Sequence, residues 1–182
     1  SLAVSLMGLV GNCCSFAVLL HAKMRTTTNI FLANLCLSSF VALLCLLINS
    51  VFYEITFYYG PDACFNLIQA LYPFVYPVAN TFQMACILLT VSVSVNQFVC
   101  IYFSRARSYS RVSARAEHAK TVRCVVLIYL LSAVYCVPYW LKFKYERPVG
   151  LHKTELGRNR HFNRLVHLWL YLPIVYIVPF SI

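Results

Sequence analysis

Five long stretches without a charged residue constrain how this chain can fold more than any other feature. They run from Ser1 to Ala22, Thr26 to Tyr53, Ala63 to Ser104, Cys124 to Leu141 and Leu165 to Ile182. A helix needs about 20 mostly apolar residues to cross a bilayer. Only 11% of the residues are charged, against about 25% in soluble domains. The sequence therefore predicts an all-α membrane protein, with spans over 2–20, 29–53, 69–103, 121–141 and 165–182.

The two ends of the chain both lie within apolar runs, and the first residue is Ser rather than Met. No basic region precedes the first span, and four more spans follow it, so that span does not read as a secretory signal. We therefore expect the chain to be part of a longer membrane protein.

Basic residues in the connecting loops indicate the orientation of the spans. The first and third loops hold eight Lys and Arg residues: Lys23, Arg25, Arg105, Arg107, Arg111, Arg115, Lys120 and Arg123. The fourth loop holds seven: Lys142, Lys144, Arg147, Lys153, Arg158, Arg160 and Arg164. Because early loops usually dominate, we expect the first and third loops inside, close to anionic lipid. A net charge of +10 that is spread over loops does not indicate nucleic-acid binding.

Uncharged polar residues and prolines form a set of motifs along the spans. These are Gly11-Asn12, "TNIFLANLCLSS" (28–39), "YPVANTFQMACILLTVSVSV" (76–95), "LLSAVYCVPYW" (130–140) and "WLYLPIVYIVPF" (169–180). In this order the set resembles the rhodopsin family of G-protein-coupled receptors, and in particular invertebrate receptors for FMRFamide-like neuropeptides. The resemblance covers nearly the whole chain. It implies helices 1–5 of a seven-helix bundle in the plasma membrane, with a peptide ligand outside and a heterotrimeric G protein inside.

The inner end of the third span departs from the family pattern of Asp/Glu-Arg-Tyr. Here the sequence is Asn96-Gln97-Phe98, followed by Arg105. In the family the acid restrains the arginine until activation frees it to contact the G protein. An Asn–Gln pair can share a hydrogen bond worth about 1 kcal/mol net, but it cannot form an ion pair. These four residues are the candidate contact for the G protein.

Three interpretations of this departure stay open at the level of sequence. The receptor couples to its G protein weakly or in an altered way. Alternatively, it is a receptor-derived membrane protein that binds peptide without coupling. The third interpretation is a decayed or partial gene product that does not function.

A second departure lies at the middle of the bundle. Ser39 stands where the second helix of the family carries a sodium-binding Asp, and Cys86 stands where a serine faces it. These side chains offer no charge and at most one hard oxygen ligand, so we expect no sodium site. The simplest role for Ser39 is a hydrogen bond to Asn12.

A third departure concerns the outer disulfide, which in the family joins the third helix to the second outside loop. Tyr72 stands at the helix position, and the loop between the fourth and fifth spans has no cysteine. Cys64 therefore has no visible partner in this chain. We expect the fourth loop to be held only at its two ends and to be mobile.

Aromatic and proline positions complete the comparison with the family. Tyr129 replaces the tryptophan common in the fourth helix, and Pro138 keeps its expected place nine residues further on. Pro179 matches the proline that bends the fifth helix where that helix moves in activation.

The outer halves of the helices are expected to form the ligand pocket. Its candidate residues are Tyr76, Asn80 and Gln83, joined by Asn49 and Tyr171. Ala79 stands where amine receptors carry an Asp, which argues against a small cationic amine. Amides can instead donate to and accept from peptide groups, although they can equally bridge neighbouring helices. FMRFamide-like peptides end in Arg-Phe-amide, and a basic outside loop would repel that cationic end.

Other classes of function find little support. We find no nucleophile–base pair, phosphate-binding glycine loop or Cys/His cluster, so we expect neither an enzyme nor a metal site nor a cofactor. Transporters usually show inverted repeats and buried charges at mid-membrane, and the sequence shows neither.

Overall fold

Four long helices account for most of the structure. The computed structural model describes residues 2–21, 26–59, 65–103, 111–146 and 150–166. The helices are α1 (Leu2–Leu19), α2 (Thr27–Tyr59), α3 (Phe65–Phe103) and α4 (Arg111–Trp140). Each contains a segment apolar and long enough to cross a membrane: Leu2–Leu19, Thr27–Ile55, Ala70–Tyr102 and Ala116–Trp140. The prediction of an all-α membrane bundle is confirmed, and of the predicted fifth span only Leu165 and Val166 lie within the described residues.

The second and third helices are longer than their predicted spans. α2 has 33 residues and α3 has 39, which correspond to lengths of about 50 and 58 Å. The hydrocarbon core of a bilayer is about 30 Å thick, so both helices extend into the aqueous phase or tilt. α3 continues through Pro73 and Pro77, near its outer end.

Polar side chains within the long helices bond to their own backbone. Thr81 Oγ1 donates to the carbonyl of Pro77 at 2.8 Å, and Thr90, Ser92 and Ser94 donate in the same way to residues four positions earlier. An unsatisfied polar group costs several kcal/mol in hydrocarbon. These local bonds therefore explain how apolar helices tolerate so many hydroxyls.

Two buried clusters hold the helices together, the first between α2, α3 and α4 and the second between α3, α4 and Val166. Towards the inside, Phe31 of α2 packs with Leu89 and Val93 of α3 and with Val125 and Ile128 of α4. The second cluster lies towards the outside and contains Met84, Cys136, Tyr139 and Val166. Large apolar side chains are also exposed along the helix faces that point away from the bundle, as expected for a protein that is surrounded by lipid.

α1 approaches α2 closely at one glycine. A Cβ atom placed on Gly8 would lie 2.8 Å from Cδ1 of Leu43. Small residues at such contacts let membrane helices pack with their backbones close together.

The segment after α4 forms a compact unit at the end of the bundle that the loop charges predict to face outside. Strands β1 (Phe143–Glu146) and β2 (Gly150–Lys153) form an antiparallel hairpin in which Phe143 is opposite Lys153. Two short helices follow, α5 (Glu155–Arg158) and α6 (Arg160–Arg164). We call residues 141–164 the outer segment.

The prediction that this loop is held only at its two ends is wrong. Thr154 Oγ1 donates to the carbonyl of Leu141 at 2.6 Å and also caps α5 by accepting from the amide of Gly157. Gly157 is buried against the carbonyl of Lys142, where a Cβ atom would clash with the backbone. Asn163 then donates to the carbonyls of Gly157 and Asn159 at 2.9 and 3.1 Å. These bonds tie the base of the hairpin to both short helices.

Candidate functional site: a cavity below the outer segment

A cavity of about 480 Å³ lies among α1, α2 and α3. Its walls are formed by Asn12, Ser39, Ala42, Leu43, Leu46, Ala79, Gln83 and Cys86. None of these lining residues can carry a full charge except through ionisation of the Cys86 thiol. Small-molecule pockets typically measure about 300–1,000 Å³ and combine apolar walls with a few polar groups. The cavity fits that description, with amide, hydroxyl and thiol as its polar groups.

The cavity brings together three of the residues predicted from separate spans. Ser39 Oγ lies 3.5 Å from the sulfur of Cys86, and the two atoms can share a hydrogen bond. The Asn12 amide donates to the carbonyl of Gly8 in its own helix at 2.8 Å. The expected bond between Ser39 and Asn12 is therefore wrong in detail. Both residues line the same cavity, but each bonds to a different partner because the Asn12 amide is directed back along α1.

The predicted ligand-binding residues of α3 separate into two groups. Gln83 is exposed and lines the cavity, together with Ala79 one turn above it. The amide of Asn80 instead donates to the carbonyl of Tyr76 at 2.7 Å. Asn49, in the outer half of α2, is half-buried and does not line the cavity.

Tyr76 belongs to an aromatic cluster below the hairpin. Its ring stacks on Tyr72 with centroids 5.5 Å apart and meets Phe143 of β1 and Tyr139 of α4 edge-on at 5.7 and 6.1 Å. Tyr72 also meets Phe143 edge-on at 5.4 Å. Phe143 therefore packs against the outer end of α3.

This aromatic contact occupies the place at which the family forms its disulfide. Tyr72 was identified as the residue at the cysteine position of the third helix, and it contacts the loop through Phe143. Aromatic pairs contribute about 0.5–1.5 kcal/mol beyond their buried area. Two such pairs on Phe143 give about 1–3 kcal/mol, which approaches the stabilisation of about 2–4 kcal/mol typical of a disulfide. Cys64 lies outside the described residues.

The structure also reveals a polar contact that the sequence analysis missed. Ser38 is fully buried on α2, and its hydroxyl lies 2.7 Å from the Tyr129 hydroxyl of α4. Tyr129 also donates to the carbonyl of Asn34 at 3.3 Å, and its ring packs edge-on against Phe82 of α3. The replacement of the family tryptophan by Tyr129 was the available signal, because the added hydroxyl needs a partner once it is buried in a membrane.

At the inner end of α3, the two amides have different environments. Asn96 is half-buried and donates to the Thr28 hydroxyl of α2 at 3.0 Å. Gln97 is exposed, and Phe98 is 61% exposed and stacks on Tyr102. Asn96 therefore bonds across to α2 rather than along α3 to Gln97.

The remaining predicted residues have simpler outcomes. Pro138 is half-buried in the last turns of α4. Arg105, Tyr171 and Pro179 lie outside the described residues. Within the part of the chain that the structure describes, no group of three or more His, Cys, Asp or Glu side chains could hold a metal ion.

Comparison with known proteins agrees with this architecture. A family model described as the serpentine-type 7TM GPCR chemoreceptor Srw matches residues 1–152. The chain is 32% identical over 154 residues to a Mas-related G-protein coupled receptor, member A6, from Mus musculus, with 81% of this chain and 46% of the relative covered. It is 26% identical over 193 residues to an FMRFamide receptor of Drosophila melanogaster, with 97% and 33% covered. A trissin receptor from the same fly is 25% identical over 193 residues, with 97% and 26% covered.

This chain belongs to the serpentine seven-transmembrane family of G-protein-coupled receptors. The resemblance to rhodopsin-family receptors, and to FMRFamide receptors among them, is confirmed. The protein is accordingly a multi-pass protein of the plasma membrane. The chain spans less than half the length of each of these relatives.

Replacing Phe143 by Ala should loosen the outer segment. The change removes two ring contacts worth about 1–3 kcal/mol, so local opening of the hairpin should become about fivefold more frequent or greater. Amide hydrogen exchange over residues 143–153 measures this opening. The control is Tyr53→Ala, since Tyr53 is 75% exposed at the outer end of α2. Equal exchange in the two variants would contradict the anchoring role of Phe143.

Replacing Asn96 by Leu should destabilise the inner end of the bundle, because it removes the hydrogen bond to Thr28. Bonds of this kind between membrane helices contribute about 0.6 kcal/mol on average and up to about 1.7. Thermal unfolding in detergent should therefore occur at a lower temperature than in the unchanged receptor. The neighbouring amide supplies the control: Gln97→Leu alters an exposed side chain and should leave the midpoint unchanged. A larger decrease of the midpoint for Gln97→Leu would show that Gln97, and not Asn96, stabilises the inner end of the bundle.

Proposed function

We propose that the receptor containing this chain binds an extracellular peptide and passes the signal to a heterotrimeric G protein. The observation that carries the proposal is the uncharged cavity between α1, α2 and α3, into which Gln83 contributes an exposed amide. A peptide backbone presents donors and acceptors, and an amide side chain can pair with both. None of the lining residues is a carboxylate, so a small cationic amine would find no ion-pair partner there.

The names of the relatives support the same class of ligand. One is called an FMRFamide receptor and another a trissin receptor. The match to both extends over 97% of this chain, and it therefore includes the cavity residues and the outer segment. We assign the outer half of the bundle to ligand binding and the inner end of α3, with Asn96, Gln97, Phe98 and Arg105, to the G-protein contact.

Coupling in this receptor would work without the charged latch of the family. The bond from Asn96 to Thr28 holds the inner ends of α3 and α2 together. A net hydrogen bond of about 1 kcal/mol shifts a two-state equilibrium only about fivefold. The inactive packing is thus weakly held at this point, and ligand binding selects the active packing by population shift.

The test is peptide-stimulated nucleotide exchange on purified G proteins by the receptor in lipid nanodiscs. A peptide is first selected by binding from a random library of peptide amides. The proposal predicts that the selected peptide raises the exchange rate above its basal value. Binding without any change in exchange across the G-protein classes would contradict coupling.

Replacing Gln83 by Leu should weaken binding of the selected peptide by up to about tenfold, because a bound amide group loses its hydrogen-bond partner. Equilibrium binding in nanodiscs measures the change. Ser94→Ala is the matched control, since Ser94 is exposed near the inner end of α3 and bonds to Thr90 of its own helix. Equal affinity for Gln83→Leu and the unchanged receptor would remove the cavity from the binding site.

A second candidate function is peptide binding without coupling. The observation that favours it is the environment of the two amides, because Asn96 is engaged by Thr28 and the exposed Gln97 carries no charge. Restoring the family pair with Asn96→Asp and Gln97→Arg separates the candidates. Exchange that appears only in the restored receptor would show a binding protein on an intact scaffold, whereas exchange in the unchanged receptor would exclude this candidate.

A further inference from the structure

The outer segment concentrates positive charge at the mouth of the bundle. Residues 141–164 contain seven Lys and Arg residues and two Glu residues, which give a net charge of +5. Glu54, near the outer end of α2, and Asp62, in the connection between α2 and α3, reduce the total on the outer side to +3. This side of a receptor meets its ligand first, so its charge selects among ligands before any contact forms.

Most of these cations are directed into solvent. Lys153, Arg158, Arg160 and Arg164 are all exposed, and Glu155 is the one acid of the outer segment whose side chain the structure describes. The two short helices are fixed to the base of the hairpin by Thr154 and Asn163. The outer segment therefore holds these cations in fixed positions relative to one another.

The base of the hairpin places two of the cations close together. Lys142 is half-buried, with its Nζ 5.9 Å from the centre of the Phe143 ring. Burial lowers the pKa of the Lys142 ammonium, and the nearby charge of Lys153 lowers it further. Both causes disfavour the charged form. A carboxylate bound between Lys142 and Lys153 would interact favourably with both ammonium groups.

The distance from the outer segment to the cavity can be covered by an extended peptide. Phe143 rests on Tyr76, and Gln83 follows Tyr76 by seven residues on α3, which is a rise of about 10 Å. An extended chain covers about 3.3–3.6 Å per residue, so about three residues cover this rise. Anionic lipid is concentrated in the inner leaflet, which makes a lipid headgroup the less suitable partner.

We infer that the ligand is an acidic peptide, whose Asp or Glu side chains contact the outer segment at Lys142, Lys153 and Arg158 while an uncharged part enters the cavity at Gln83. This inference rests on the proposed function and narrows it. It separates this receptor from relatives that take a cationic Arg-Phe-amide end, because seven basic residues would repel such a ligand at the mouth.

The test compares two random peptide-amide libraries that differ only in one fixed terminal segment, which is either Glu-rich or Lys-rich. The receptor is held in phosphatidylcholine nanodiscs, so that no anionic lipid competes. The Glu-rich library should bind more tightly, and its advantage should decline as salt screens the charges. Equal binding, or tighter binding of the Lys-rich library, would overturn the inference while leaving a peptide receptor. Binding of neither library would contradict the proposed function itself.

A pair of charge variants locates the contact. Lys153→Gln with Arg158→Gln should weaken binding of the Glu-rich library about three- to tenfold, the effect of losing one or two exposed ion pairs. The control, Lys120→Gln with Arg123→Gln, removes the same charge from exposed residues at the inner end of α4 and should change nothing. If both double variants weakened binding equally, the effect would come from the net charge of the protein. The assignment of the contact to the outer segment would then be wrong.

A lipid arm completes the design. The Glu-rich library is measured again in nanodiscs that contain phosphatidylserine in both leaflets. If the acidic preference persists there, the outer segment is a peptide contact as inferred. If the preference disappears, and the variant with Lys153→Gln and Arg158→Gln binds the Glu-rich library equally in the two lipids, the segment binds lipid headgroups. The inference is then wrong.

Discussion

The buried hydroxyl pair of Ser38 and Tyr129 is the contact on which the arrangement of α2, α3 and α4 depends. Water is absent from the hydrocarbon core, so each hydroxyl must find its partner inside the protein. Ser38 has no exposed surface, and its oxygen lies 2.7 Å from that of Tyr129. The same tyrosine packs its ring on Phe82 of α3. The rotation of α4 about its own axis is thereby fixed, and the rotation sets which residues of α4 form the two buried clusters.

The same physical device recurs at each level of the membrane. Thr28 and Asn96 join α2 and α3 at the inner end, and Ser39 meets Cys86 near the middle. At the outer end the contact is aromatic, through Phe143, Tyr72 and Tyr76. The family uses an ion pair, a sodium site and a disulfide at corresponding places. This chain has neutral hydrogen bonds and ring contacts at the same positions. Each of these contacts contributes from less than about 1 kcal/mol to a few kcal/mol. A bundle held in this way can change its packing with a small input of free energy.

Much of this architecture could be predicted from the sequence, because a membrane span is a property of composition over about 20 residues. The outer hairpin could not. Phe143 stands between two lysines, and basic composition indicates a loop, whereas the strand forms because tertiary contacts with Tyr72 and Tyr76 outweigh local preference. The hydrogen-bond partner of Ser39 could not be predicted from the sequence either. Ser38 and Ser39 are adjacent, and about 100° of helix rotation separates their side chains, so only the packed structure decides which of them faces α4 and which faces the cavity.

A double-mutant cycle on Ser38 and Tyr129 tests most directly whether neutral contacts hold the bundle. The free energy of unfolding is measured in detergent for Ser38→Ala, Tyr129→Phe and the double variant, with the receptor otherwise unchanged. We expect the double variant to be less destabilised than the sum of the single variants, by a coupling energy of about 0.6–1.7 kcal/mol. Additive losses would show that the two hydroxyls do not stabilise each other, and would contradict the account.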